Sequence, residues 1–180
     1  MKKNQWFILI FLLLIIGCGE QYIPTSPVLP QHIKKIAILK FESGSAPSEF
    51  VEKLKIATAD RFVTDRRVAV VNMADADAIL KGKISRYLLS PLKYSHAKIA
   101  TQYQLWVWID ISLYDAVTKK VLWTETRLES KTKYFTDSYD MFAPTTETEA
   151  QNIVIEMLAR ASVKRTIDGW FIASGVSDRL

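Results

Sequence analysis

From Tyr103 to Leu113 every odd position is apolar (Tyr103, Leu105, Val107, Ile109, Ile111, Leu113), whereas Gln102, Gln104, Asp110 and Ser112 make the even positions polar. A period of two kept over this length excludes a helix and defines a strand with one fully buried face. Trp106 and Trp108 interrupt the polar side. Two large rings there require the second face to be covered as well, either by the chain's own helices and loops or by a partner, since Trp is enriched at interface hot spots.

Other segments take their places around this strand. Ile33 to Phe41 is apolar towards its end and reads as a first strand, closed by Gly44 and Pro47. Ser48 is a candidate N-cap for a helix over Glu49 to Thr64, with Phe50, Val51, Leu54, Ala57 and Phe62 near one face. Arg67 to Met73 reads as a short buried strand and Ala78 to Leu89 as a longer one. Pro91 to Thr101 carries turn chemistry. A turn at Asp115 to Lys119 sends the chain into a strand over Val121 to Lys131, and Lys133 to Thr145 reads as a loop bearing Tyr134, Phe135, Tyr139 and Phe142. Thr146 and Glu149 form a capping box before a helix whose stripe is Ala150, Ile153, Val154, Met157, Leu158 and Ala161, with Gly169 as its stop. The expected fold is α+β, a two-layer sandwich with two amphipathic helices packed on one face of a mainly antiparallel four- to five-stranded sheet.

The N-terminus sets the location. Lys2 and Lys3 precede an apolar run from Trp6 to Ile16, and Ile15, Ile16, Gly17 and Cys18 form a lipobox. The run is too short for a bilayer span, which needs about 20 residues. Residues 1–17 are thus read as a signal peptide and Cys18, the single cysteine, as the lipidated N-terminus carrying an N-acyl chain and an S-diacylglycerol. A plain signal peptide with a free thiol is the alternative, and it suits an oxidising compartment badly. Gly19 stands where an Asp would retain such a lipoprotein in the inner membrane, which favours the outer one. Residues 18–31, with Pro24, Pro27 and Pro30, read as a tether able to reach roughly 40 Å. A single domain over 32–170 and a tail over 171–180 follow.

Export also lowers the charge. The chain has 24 Lys plus Arg against 19 Asp plus Glu, and loss of Lys2 and Lys3 leaves 22 against 19. This mild basicity is weak support for a nucleic-acid partner.

Chemistry-bearing patterns are sparse. His32 and His96 are far apart, no His/Asp/Glu group has metal spacing, and no G-x-S-x-G elbow or phosphate-cradling Gly loop occurs. Asp75 and Asp77 read as turn and strand-entry residues rather than an acid/base pair. No catalytic residue, metal or cofactor is expected, apart from the covalent lipid at Cys18. The partner-interface candidates are Trp106, Trp108, Tyr134 and Phe135. Lys93 and Lys98 on one side, and Lys131 and Lys133 on another, form either a solvated rim or contacts to phosphates of an anionic glycolipid.

Taken together, the lipobox, LPQHIKKIAILKF at 29–41, DRRVAVVNMADADAILKGKISRY at 65–87, YQLWVWIDISLYDAVTKKVLW at 103–123 and the closing Gly169-Trp170 resemble the lipopolysaccharide-assembly lipoprotein family LptE. The likeness runs from about Leu29 to Trp170. It departs after the lipidated cysteine, where Gly19 is followed by Glu20 and Gln21 before Tyr22. The resemblance implies an outer-membrane lipoprotein that plugs the β-barrel LptD and assists lipopolysaccharide insertion into the outer leaflet, with Lys98 the nearest match to a lipopolysaccharide-contacting position. The mechanism implied is binding and scaffolding rather than catalysis. A lipoprotein that activates a cell-wall synthase or nucleates a secretion pore is the alternative, and a hydrolase of envelope glycans a third.

Overall fold

The computed structural model describes residues 29–136 and 145–168. Cys18, the signal peptide, most of the tether, Tyr139, Phe142, Gly169, Trp170 and the tail lie outside them. The elements in order are β1 (Lys35–Ile38), β2 (Glu42–Ser43), α1 (Ser48–Asp65), β3 (Ala69–Val70), a 3-10 turn (Met73–Asp75), β4 (Ala78–Tyr94), β5 (Ala100–Asp115), β6 (Lys120–Phe135) and α2 (Glu147–Ile167). The sheet runs β3-β1-β4-β5-β6, with β2 pairing β4. The long strands β4, β5 and β6 are antiparallel, and the short strands β1, β2 and β3 add parallel pairs at one side.

The α+β sandwich expected from the sequence is present, with six strands rather than four or five. The odd residues of β5 meet the helices, so Leu105, Val107, Ile109 and Ile111 pack with Phe50 and Leu54 of α1 and with Val154 and Leu158 of α2. A second cluster, built on Ile36, Phe62, Leu80, Leu113 and Val163, closes the other end. Among the described residues no helix is long and apolar enough to cross a membrane.

Several local expectations are corrected. The first strand is confined to Lys35–Ile38; Leu39 N–H still donates to Leu80 O, Phe41 is buried, and pairing with β4 resumes only in β2. Arg67 to Met73 contributes only Ala69–Val70. Ala69 is exposed and Val70 half-buried, so this is a sheet-edge strand and not a buried one. Ser48 does not cap α1. Pro47 takes the N-cap position at φ −58° and ψ 142°, its carbonyl accepts from the Val51 N–H, and Ser48 already lies inside the helix. The first buried helix face is otherwise as expected, with Thr58 added and Ala57 half-buried.

In α2 the buried arc is rotated from the expected stripe. Ile155, Ala159, Ser162, Val163 and Thr166 are buried, whereas Ile153 and Met157 are exposed. A helix wedged between a sheet and a second helix buries two adjoining strips, and apolar spacing alone does not show which neighbour lies on which side. The capping box stands as read: Thr146 Oγ1 accepts from the Glu149 N–H at 3.2 Å, and Glu149 Oε2 accepts from the Thr146 N–H at 3.3 Å. Thr146→Ala should lower stability by about 1 kcal/mol, measurable as a shift in the urea midpoint with unchanged slope.

The strands at the hairpin are longer than the sequence pattern gave. β4 continues through Pro91 to Tyr94, leaving only Ser95 to Ile99 as the loop. The outer edge of β4 pairs with β2 only at Lys83 and Ile84, so a proline at 91 costs no ladder bond on that side. Likewise β6 runs to Phe135, which places Tyr134 and Phe135 in a strand and not in a loop.

Candidate binding face

Because the helices occupy one face of the sheet, the even residues of β5 lie on the other. Opposite them on β4 are Lys81, Lys83, Arg86, Leu88, Ser90 and Lys93, and opposite them on β6 are Glu129, Lys131, Lys133 and Phe135. Arg86 reaches this face through a register shift between Ile84 and Arg86, which moves β4 by one residue relative to β5.

At the centre, the rings of Trp106 and Trp108 meet edge to face, with centroids 5.0 Å apart and planes at 87°. Each is roofed by a cation. The Arg86 guanidinium stands 4.5 Å over Trp108, and Lys131 Nζ 5.6 Å over Trp106. Further along, Lys81 Nζ stands 5.2 Å over Tyr114. These cation-ring contacts each contribute about 0.5–1 kcal/mol at exposed sites, and they leave the tryptophans half-buried. Trp106 Nε1–H donates to Glu129 at 3.2 Å. Trp108 Nε1 is buried without an acceptor among the described residues.

Among the described residues the strands bring six cations to this face, Lys81, Lys83, Arg86, Lys93, Lys131 and Lys133, against two carboxylates, Asp110 and Glu129. Both acids are engaged already, since Asp110 Oδ1 accepts the Arg127 backbone N–H at 2.8 Å and Glu129 takes the Trp106 donor. Such a surface can hold anions beside flat apolar groups.

The sequence-derived candidates divide. Trp106, Trp108, Phe135, Lys131 and Lys133 share this face. Tyr134 does not: it is 6% exposed on the helix side and stacks on Tyr103 at 5.1 Å, so it belongs to the core. A loop position had left its direction open; strand alternation turns it inward. Lys93 pairs with Gln102 at the end of β4, and Lys98 takes a left-handed backbone (φ 60°) in the hairpin loop. Since β4 ends, β5 begins and β6 ends at one edge of the molecule, all four lysines gather at that end rather than on two sides. Lys81, Lys83 and Arg86 were missed. Alternation marked the first two, but no sequence signal places the register shift that brings Arg86 into line.

At the opposite end of β5 the chain enters the domain through residues 29–32. His32 Nε2 lies 2.9 Å from the buried Asp115 carboxylate, and the Lys34 and Lys35 N–H groups both donate to Asp77 at 2.9 Å. Those donors hold the Asp77 carboxyl below its usual range. Asp77 therefore serves as a strand-entry residue. His96 is exposed in the hairpin loop. Among the described residues no group of three His, Cys, Asp or Glu could hold a metal ion. Elsewhere, a shallow dent at the C-terminal helix ends is lined by Arg61, Arg67, Arg160 and Lys164. Arg67 bridges Asp65 and Asp168, and Arg61 bonds Glu156. Lys164 lies in the last turn of α2, where a cation complements the helix dipole, and with the ion pairs of Arg61 and Arg67 this gives the dent a structural role.

No family model matches the chain, and no curated protein does. Among solved structures the chain is similar to XCC0632 from Xanthomonas campestris, of family model DUF330, at 12% identity and TM-score 0.55 over 81% of this chain and 89% of that one. A PelC dodecamer from Paraburkholderia phytofirmans matches at 12% identity and TM-score 0.47, over 76% and 93%. Uncharacterized lipoprotein B from Nitrosomonas europaea matches at 18% and TM-score 0.47, over 78% and 88%. The first likeness shows a shared fold. The other two are too distant to support more, and none of the three is named LptE.

Proposed function

We propose that this chain is a lipoprotein of the outer membrane that plugs an LptD-like β-barrel and supports lipopolysaccharide transport into the outer leaflet, binding without making or breaking bonds. The observation that supports the reading is that His32, where the chain enters the domain, and the basic hairpin loop lie at opposite ends of one long strand. β5 has 16 residues, which at ~3.3 Å each gives about 50 Å. That length exceeds the roughly 30 Å hydrocarbon core of a bilayer. A domain held at its Asp115 end by a tether from the periplasmic leaflet could therefore run through a barrel lumen and carry Lys93 and Lys98 towards the far leaflet. Its second face is mixed in polarity, as a wet lumen requires.

Affinity purification of the full-length lipoprotein from solubilised outer membrane should recover a large β-barrel. Recovery of a peptidoglycan synthase or a homomeric ring in its place would overturn the reading. The double variant Trp106→Ala/Trp108→Ala should lose the barrel while lowering monomer stability by about 1.5–3.5 kcal/mol, the value of one ring pair and its two cation contacts. A loss of about 6–10 kcal/mol, at 3–5 for each truncated core aromatic, would assign the rings to the fold instead.

A further inference from the structure

Strand β6 borders the sheet, and among the described residues it pairs with β5 alone. The Thr136 N–H donates to Thr101 O at 3.1 Å, so the even residues of β6 from Leu128 onward exchange main-chain bonds with β5. The odd residues Glu129, Lys131 and Lys133 therefore turn their N–H and C=O groups away from the sheet. One side of α2 lies over this edge. The Ser130 hydroxyl donates to Met157 Sδ at 3.4 Å, and Ile153 and Ala161 stand one turn before and after Met157 on the same side of the helix. Ile153 and Met157 are exposed, Ala161 half-buried. We infer that this edge is a self-association surface, on which a second copy of the chain pairs β6 with β6, antiparallel, about a two-fold axis through Ser130. The inference goes beyond the plug reading and does not rest on it, since the chain alone supplies both surfaces.

A two-fold contact requires a patch complementary to itself. Joining outward main-chain groups relates odd residues to odd ones, and an axis at Ser130 sets Glu129 of each copy opposite Lys131 of the other. Glu129 gives Oε2 to the Trp106 N–H and keeps Oε1 for that lysine. Opposite charges directly across a strand pair stabilise it and like charges destabilise it. An axis at Glu129 or at Lys131 would set that residue against itself. On the helix side, the Ser130 contact places Met157 beside the same axis. Met157 then meets its own counterpart and Ile153 meets Ala161, a large side chain against a small one. Edge and helix strip are thus self-complementary about one axis.

The assembly closes at two copies. Arg127 takes φ 57° and its N–H turns back to Asp110 Oδ1, so the edge available for pairing begins at Leu128. The other border of the sheet, β3, has only 2 residues. Pairing covers an edge that otherwise templates aggregation.

Sedimentation equilibrium of the full-length lipoprotein in density-matched detergent should show a dimer that dissociates on dilution. Glu129→Lys and Lys131→Glu should each weaken it about tenfold. The exchange Glu129→Lys/Lys131→Glu should restore it, because opposite charges face one another again. Met157→Glu should weaken it as well, whereas Lys83→Glu, on β4, should leave it unchanged, and a thermal melt of each variant checks folding. With diamide as oxidant, Ser130→Cys should join two copies through a disulfide, since residues facing across such an axis have Cα atoms about 4.5 Å apart. Thr132→Cys should not, because Leu128 of the other copy lies opposite it. Wild type that stays monomeric at every concentration overturns the inference and leaves barrel capture as the separate test of the plug reading. A dimer that none of these exchanges weakens also overturns it, as does one that Thr132→Cys cross-links and Ser130→Cys does not.

Discussion

Gly82→Ala should destabilise the domain by about 1–3 kcal/mol, the range for overpacking a close-packed core. A Cβ at position 82 would lie 2.2 Å from two ring carbons of Phe41, and Phe41 is only 2% exposed, so the ring has nowhere to retreat. The glycine is needed here for space between β4 and the returning chain. For a domain of this size the melting temperature should fall by about 3–10 °C. Gly82→Leu should fall further. Phe41→Leu in the Gly82→Ala background should cost less than the two changes summed, because the smaller side chain makes room for the new methyl. A Gly82→Ala variant as stable as wild type would show that the ring can move freely.

Asp115→Ala should be of similar size, with a pH dependence that Gly82→Ala lacks. The Asp115 carboxylate is 1% exposed, accepts the N–H groups of Val117 and Thr118 at 2.8 and 2.9 Å, and meets His32. Each orphaned donor costs roughly 1–3 kcal/mol where water cannot replace the acceptor, so a loss of about 3 kcal/mol is expected. Burial pushes this carboxyl up, but the Thr118, His32 and Val117 donors outweigh it and hold its pKa at about 2. A depressed carboxylate stabilises the fold above its unfolded value of about 3.9, and that contribution disappears as pH falls through the folded value. Denaturation curves of wild type and Asp115→Asn should therefore differ most above pH 4 and converge towards pH 2. A constant difference across that range would count against the ionised clasp.

Much of the architecture could be read from residue order. The alternation from Tyr103 to Leu113 gave the central strand and its buried face, and the Thr146–Glu149 box gave the start of the second helix. Less legible were features that depend on neighbours. Tyr134 looked like a loop aromatic because Lys131 and Lys133 flank a stretch with no apolar run, yet pairing with Tyr103 extends β6 and stacks the two rings. In α2, Ile153 and Met157 fit a helical stripe, but packing in the folded domain buries Ile155 and Ala159 instead.

The candidate face shows the same division. Trp106 and Trp108 announced themselves in the sequence, as two large rings on the polar side of a strand. Their cations did not. Lys131 lies 25 positions beyond Trp106 and meets it only through β5–β6 pairing, and Arg86 reaches Trp108 only after a register shift in β4.

What the sequence alone determined was local: which segments alternate or repeat with helical period, where caps and breakers fall, and which terminus bears a lipobox. These follow from interactions between residues a few positions apart. The tertiary structure decided the gathering of Lys81, Lys83, Arg86, Lys131 and Lys133 on one face, the inward turn of Tyr134, and the placement of His32 and the hairpin loop at opposite ends of β5. Those depend on strand order and register, which are fixed by packing between distant segments, and a shift of one residue moves a side chain to the other face of the sheet.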